Sequence, residues 1–180
     1  ARRNDPELLL SGATSFDGTD DYISIADSDS LSFGDGSTDS ALTFSAWAKM
    51  DDATVFDILV KGVYQTNDEY RFFINGSHKL ITRFLDNSAS SAYIGRETSN
   101  NMEIYEGIWT HFVTTYDGSG NNSGAKLYIN GVRVDNADNS NGSYVAMENL
   151  GANVQIGKHS SSYADGSIAN VGIWNRALSL

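Results

Sequence analysis

Hydrophobic residues in this chain come in short runs, several alternating with polar ones, and Gly, Asn, Asp and Ser break the runs repeatedly. Successive strand side chains point to opposite faces, so such alternation describes half-buried strands. In LTFSAWAKM, Phe44, Ala46 and Ala48 share one face and Trp47 takes the other. In WTHFVTTY, Phe112, Thr114 and Tyr116 share a face opposite His111. The pattern predicts strands at 13–17, 22–26, 42–49, 55–61, 91–95, 109–117, 153–157 and 166–174. Two hairpins stand out, YRFFINGSHKLITRF (70–84) and AKLYINGVRVD (125–135), with Asn75-Gly76 and Asn130-Gly131 between their hydrophobic runs. Asn-Gly suits a type I′ turn, in which both central residues need positive φ. No useful window has a 3.6-residue apolar period, and the reading is all-β: a two-sheet antiparallel sandwich.

Composition narrows what such a sandwich does. A length of 180 residues, with no linker or repeat, predicts one domain over 1–180. The net charge of -11, from 12 basic and 23 acidic residues, repels nucleic acid and anionic lipid surfaces. With no cysteine, disulfides, thiolate metal sites and cysteine nucleophiles are excluded. No run is long and apolar enough for membrane insertion. The opening ARRNDPELLLSGA is too short in its apolar part for a signal-peptide core and reads as a mature start or an artificial boundary. The three histidines, His78, His111 and His159, have no metal-ligand spacing. Loops opening at Asp35 and Asp117 fail the EF-hand pattern at the glycine and glutamate positions. Three Asn-x-Ser acceptor patterns, at Asn75, Asn121 and Asn141, are what chance supplies in so Asn- and Ser-rich a chain.

The segments SFDGTDDYISI, LTFSAWAKM, GIWTHFVTTYDG, AKLYINGVRVD, VQIGKH and DGSIANVGIWNRALS, in that order, resemble the laminin-G-like, concanavalin A-like jelly-roll domains over about 13–179. That resemblance leaves 1–12 as a lead-in and implies two facing sheets with the terminal strands close together. It also implies a module that binds glycans or proteins, carried by extracellular, cell-surface or viral structural proteins. Some domains of this fold are hydrolases or lyases, so catalysis has to be argued from the site. Hydrolytic members carry a Glu-x-Asp-x-x-Glu pattern, which is absent here. Glu103 and Glu106, like the adjacent Asp68 and Glu69, fall on opposite faces of an extended segment. His78, Lys79 and Arg83 follow the first Asn-Gly turn, but lyase signatures are missing and a charged outer hairpin face is the simpler account.

The resemblance further implies a structural Ca2+ where the terminal strands meet. An aspartate usual in its closing motif is Ala169 here, in SIANVGIW. Asp17, Asp20, Asp21 and Asp165 are the candidate ligands; the alternative role for these aspartates is to bond backbone N–H groups and shape a turn. Sugar recognition asks for aromatic platforms with polar tips, preferably on loops. The candidates are Tyr64, Tyr105, Tyr144 and Tyr163, in the irregular segments KGVYQTNDEY, NMEIYEG, NGSYVAM and SSSYADG, while Trp109 and Trp174 read as structural; the loops at 62–69, 97–108 and 140–148 are where an aromatic-lined groove is expected to show. The expectation is a non-catalytic, lectin-like, carbohydrate-binding module of an extracellular, cell-surface or virion-surface protein. The alternative is a structural or adhesive domain whose partner is a surface protein of a virion or cell-surface assembly.

Overall fold

The computed structural model describes residues 12–90 and 92–179; residues 1–11 of the 1–12 lead-in lie outside them. Fifteen strands follow in chain order: β1 (Thr14–Asp17), β2 (Ile23–Ile25), β3 (Leu42–Asp52), β4 (Phe56–Lys61), β5 (Tyr70–Ile74), β6 (Leu80–Asp86), β7 (Ala92–Thr98), β8 (Thr110–Tyr116), β9 (Ala125–Ile129), β10 (Val132–Arg133), β11 (Asp135–Asp138), β12 (Val154–Ile156), β13 (Lys158–His159), β14 (Ser162–Tyr163) and β15 (Asp165–Trp174). They form a six-stranded sheet, β1-β15-β3-β8-β9-β10, and a seven-stranded sheet, β11-β7-β6-β5-β4-β12-β2, with β13-β14 as a small hairpin. Every pairing is antiparallel. The chain is an all-β jelly-roll sandwich. Among the described residues, no helix is long and apolar enough to cross a membrane.

The faces fall where alternation puts them. Phe44, Ala46 and Ala48 of β3 and Phe112 and Tyr116 of β8 point into the core, against Tyr70 and Phe72 of β5 and Phe84 of β6. Phe84 stacks on Tyr116 across the sheets at 4.2 Å between ring centroids, and Phe44 meets Tyr70 at 4.6 Å. Burying each such side chain contributes about 1.5–3 kcal/mol. Trp47 and His111 lie on the outer face, stacked on each other at 5.1 Å.

The two Asn-Gly sites part company. Asn130 and Gly131 take φ of 50° and 79°, and Ile129 pairs directly with Val132, as a two-residue type I′ turn requires. At the first site Ile74 pairs with Leu80 instead, leaving a five-residue loop, Asn75 to Lys79, with the left-handed residue at His78. A two-residue turn there would pair Ile74 with Ser77, an odd register shift that carries Leu80 and Phe84 out of the core and Lys79 and Arg83 into it. Burial of Leu80 and Phe84 therefore sets the register, and turn propensity yields.

Among the described residues, one lysine is sealed inside. Lys61 at the end of β4 is 0% exposed, and its Nζ donates to Asp27 Oδ1 (2.8 Å), Ser32 Oγ (3.0 Å), Glu69 Oε1 (2.6 Å) and the Leu150 carbonyl (3.0 Å). Glu69 is equally buried; burial pushes its carboxyl upward while the bond from Lys61 opposes that. Removing one member of a buried pair strands the other charge. Lys61→Met is expected to lower stability by about 3–5 kcal/mol in urea unfolding, with most of the loss recovered in Lys61→Met/Glu69→Leu.

Candidate functional site

The loop 62–69 leaves β4 at Lys61 and re-enters at β5, closed at its neck by the Lys61–Glu69 pair and by the Glu69 N–H bond to the Lys61 carbonyl (2.9 Å). Its inner wall helps form a cleft of about 240 Å³ on the outer face of the seven-stranded sheet, with Tyr64, Gln65, Asp68, Arg71, Arg83, Leu85, Ser90, Tyr93, Asn141 and His159 around it. Alternation builds its floor. Because Tyr70, Phe72 and Phe84 face the core, Arg71 on β5 and Arg83 on β6 face outward, directly opposite each other in register. Asn141 is brought in by a two-way backbone bridge to Tyr93, at 2.9 Å in each direction.

Each charge here is held by a specific neighbour. Arg71 Nε donates to Asp57 Oδ1 at 2.6 Å, and its Cζ sits 3.8 Å from the Phe73 ring centroid. Asp57 is fully buried, which pushes its carboxyl upward against the pull of Arg71. Arg83 Nε donates to Asn139 Oδ1 at 2.6 Å, with its Cζ 4.3 Å from the Tyr93 centroid and 5.4 Å from that of Phe73. Burial lowers the Arg83 pKa, and the neighbouring Arg71 charge acts in the same direction. His159, almost fully buried, pairs with Asp68 Oδ1 at 3.1 Å, while Asp68 Oδ2 accepts the Gln65 N–H. Tyr64 meets His159 edge-on at 6.1 Å and is 58% exposed, so its ring is available at the rim. Gln65 and Ser90 both hold left-handed φ, 54° and 56°, a conformation costing roughly 1–2 kcal/mol in a residue with a Cβ.

Of the four tyrosines singled out in the sequence, Tyr64 alone lines this cleft. Tyr105 is half-buried, edge-on to Phe112 at 6.5 Å, in a short 3-10 turn, Met102–Tyr105. Tyr144 packs on the core and donates to Asp39 Oδ2 at 2.7 Å; Tyr116 donates to the same oxygen at 2.6 Å, and the Met147 N–H bonds Asp39 Oδ1 at 2.8 Å. Burial, reinforced by the Asp39 carboxylate, pushes both phenols far above their usual range. Tyr163 belongs to a separate surface cluster in which Lys158 Nζ lies 3.9 Å from the Tyr22 centroid and 5.0 Å from that of Tyr163. Of the three loops, 62–69 supplies Tyr64, Gln65 and Asp68 and 140–148 supplies Asn141, while 97–108 takes no part. Arg71, Tyr93 and His159 carry no local motif. The outward alternation of Arg71 and Tyr93 is visible in the sequence, but that of His159 is not, and the convergence of all three needs the strand order.

The aspartates of SFDGTDDYISI form a tight turn after β1. Asp17 Oδ1 accepts the Thr19 N–H (2.8 Å) and the Asp20 N–H (3.3 Å), and these bonds hold its carboxyl below the ordinary range, Thr19 contributing most. Carboxylate oxygens of Asp17, Asp20 and Asp21 lie within 4.8 Å of one another, all exposed. These are the hard oxygen donors a dication such as Ca2+ takes. Asp165 is Asp17's register partner on β15 and stands outside that group; its Cβ and Cγ lie 3.1 and 3.3 Å from where a Cβ on Gly18 would be. Ala169 is buried in β15 opposite Trp47.

The sequence model of one superfamily matches residues 17–180, described as the concanavalin A-like lectin/glucanases superfamily. The chain belongs to this superfamily. Among solved members of the same fold, CBM40 of the Ruminococcus gnavus IT-sialidase, bound to alpha2,3 sialyllactose, aligns with a TM-score of 0.60 at 12% identity, over 94% of each chain. Domain 4 of AbnA, an extracellular GH43 arabinanase of Geobacillus stearothermophilus, in complex with arabinotriose, aligns at 0.56 and 18% identity, over 93% of this chain and 84% of that one. Domains LG4-5 of the mouse laminin alpha1 chain align at 0.60 and 12% identity, over 93% of this chain but 44% of that longer one. Such identities establish a shared concanavalin A-like fold and no more. No curated protein sequence matches.

In this superfamily member the Tyr144 hydroxyl serves Asp39. Tyr144→Phe is therefore expected to cost about 1 kcal/mol in thermal or urea unfolding, and to leave ligand affinity measured on the same sample unchanged.

Proposed function

We propose that this chain is a non-catalytic, lectin-like module that takes a glycan in the cleft over β5, β6 and β7, as part of an extracellular or surface protein. The observation that carries the reading is the cleft itself: aromatic rings of Tyr64 and Tyr93 beside Arg71, Arg83, Gln65 and Asn141, on a rigid sheet. Sugar recognition pairs apolar ring faces with a few fixed polar groups, and this lining supplies both. A volume near 240 Å³ suits one ring or the end of a chain. Structural neighbours that hold sialyllactose and arabinotriose on the same fold support the class of ligand.

Two features weigh against hydrolysis. Glycosidases use two carboxyl groups flanking the bond, one of them free to attack or to activate water. Asp57 is buried and bonded to Arg71, and Asp68 is engaged by both His159 and Gln65. Glu103 and Glu106 are likewise occupied, by His78 and by the Ala53 N–H. The deciding experiment is a glycan array followed by calorimetry. Tyr93→Ala is expected to weaken the best ligand at least about tenfold, equivalent to 1.4 kcal/mol. Retention of full affinity would move the site elsewhere, and the absence of any glycan ligand would end the lectin reading.

Calcium at the Asp17 turn is a second part of this proposal, supported by the donor set of Asp17, Asp20 and Asp21. Ca2+ at 100-fold over its Kd stabilises a folded protein by about 2.7 kcal/mol. Addition of CaCl2 is therefore expected to raise Tm in the native chain, and Asp20→Asn/Asp21→Asn is expected to abolish the rise. A Tm indifferent to calcium would leave the turn-shaping role alone.

A further inference from the structure

Arg83 stands apart from the other half-buried arginines. Arg71 is paired with Asp57, and Arg96 with Asp135 and Asp138; among the described residues Arg83 has no carboxylate partner. Its Nε is taken by the neutral amide oxygen of Asn139, which fixes the plane of the guanidinium. Of the acids near it, Glu97 is committed to Lys79 (2.9 Å) and to the Asn139 amide (2.6 Å), and Asp68, which shares the cleft lining, is committed to His159 (3.1 Å) and to the Gln65 N–H (3.1 Å). The structure also opposes two like charges, since Arg71 sits directly across from Arg83 on the neighbouring strand. Like charges in that position destabilise a sheet. The rings of Phe73 and Tyr93 beside the guanidiniums offset part of the cost, as cation–π contacts do. In a chain of net charge -11, a desolvated, half-neutralised arginine pair lining a cleft is a feature that folding alone does not call for.

The geometry states what would complete it. With Nε occupied, the end of a guanidinium bearing both η nitrogens remains, and that end matches the two oxygens of a carboxylate in a bidentate fork. Tyr64, Gln65 and Asn141 supply uncharged ring faces and amides around it, suited to hydroxyl groups. We propose that the cleft selects a sugar carrying a carboxylate, which seats on the η nitrogens of Arg83 beside Arg71. This rests on the cleft being the glycan site. The acidic surface does not oppose it, because exposed charges are screened beyond a Debye length of about 8 Å at physiological ionic strength while the partly buried pair is screened much less.

The test compares acid and ester forms of one sugar on the unaltered protein. Calorimetry is run with trigalacturonate and alpha2,3-sialyllactose, with their methyl esters, with neutral arabinotriose and with a sulfated disaccharide. At least one acid is expected to bind about 10- to 100-fold more tightly than its ester, the range for hydrogen bonds to a charged group. Arg83→Gln is expected to erase that difference, and Arg83→Lys to recover only part of it, because an ammonium lacks the planar fork. Equal affinity for acid and ester, or an acid preference intact in Arg83→Gln, overturns the proposal. So does a sulfated disaccharide that binds as tightly as the acids and is equally sensitive to Arg83. Neutral arabinotriose that binds as well as the acids and is lost in Tyr93→Ala also overturns it, while leaving the cleft a lectin site. No sugar binding at all removes the lectin reading and this inference together.

Discussion

The ammonium of Lys61, sealed among Asp27, Ser32, Glu69 and the Leu150 carbonyl, is the contact on which most of this architecture turns. It joins four separated stretches of chain at one point: the segment after β2, the end of β4, the start of β5 and the loop before β12. A buried ion pair repays its desolvation only with close geometry and further hydrogen bonds around it, so the contact is demanding of geometry. That demand is what makes it useful. Lys61 and Glu69 form the neck of the loop that carries Tyr64, Gln65 and Asp68, and fixing the neck fixes the wall of the cleft. The left-handed Gln65 in that loop is held against its preference, its N–H bonded to Asp68 Oδ2.

Charge is distributed with a purpose visible only in three dimensions. The chain is strongly acidic, yet Arg71, Arg83 and His159 gather on one outer face. The carboxylates near them are not spread evenly: Asp57 takes Arg71 and Asp68 takes His159, so Arg83 is the member left to an amide. Asp39 shows the opposite use of a carboxylate, accepting two phenols and a backbone N–H to pin the 144–147 segment to β8.

How much of this the sequence discloses follows from the range of the forces involved. Faces are local, so the shared face of Phe44, Ala46 and Ala48 and that of Phe112 and Tyr116 could be read directly, while which face is core came from the pairing of the sheets. Strand pairing is not local. Asn75-Gly76 looks like a two-residue turn until the burial of Leu80 and Phe84 imposes a longer loop, whereas Asn130-Gly131 meets no such conflict. The site was legible in fragments. Tyr64 was identified from its loop, but Arg83 read as an ordinary outer charge because its opposition to Arg71 depends on that same register. Tyr144 looked available because nothing local connects it with Asp39, 105 residues away.

The pairing of β1 with β15 has an architectural corollary. Antiparallel neighbours place the beginning of the first strand and the end of the last at the same end of the sandwich, with Thr14 opposite Ile168. The cleft lies on the other sheet, away from that doorway. A domain entered and left through one doorway can be spliced into a surface loop of a host protein like a bead on a doubled thread. The cleft face would then project from the host, with the Thr14 end of β1 and the Trp174 end of β15 both on the opposite sheet.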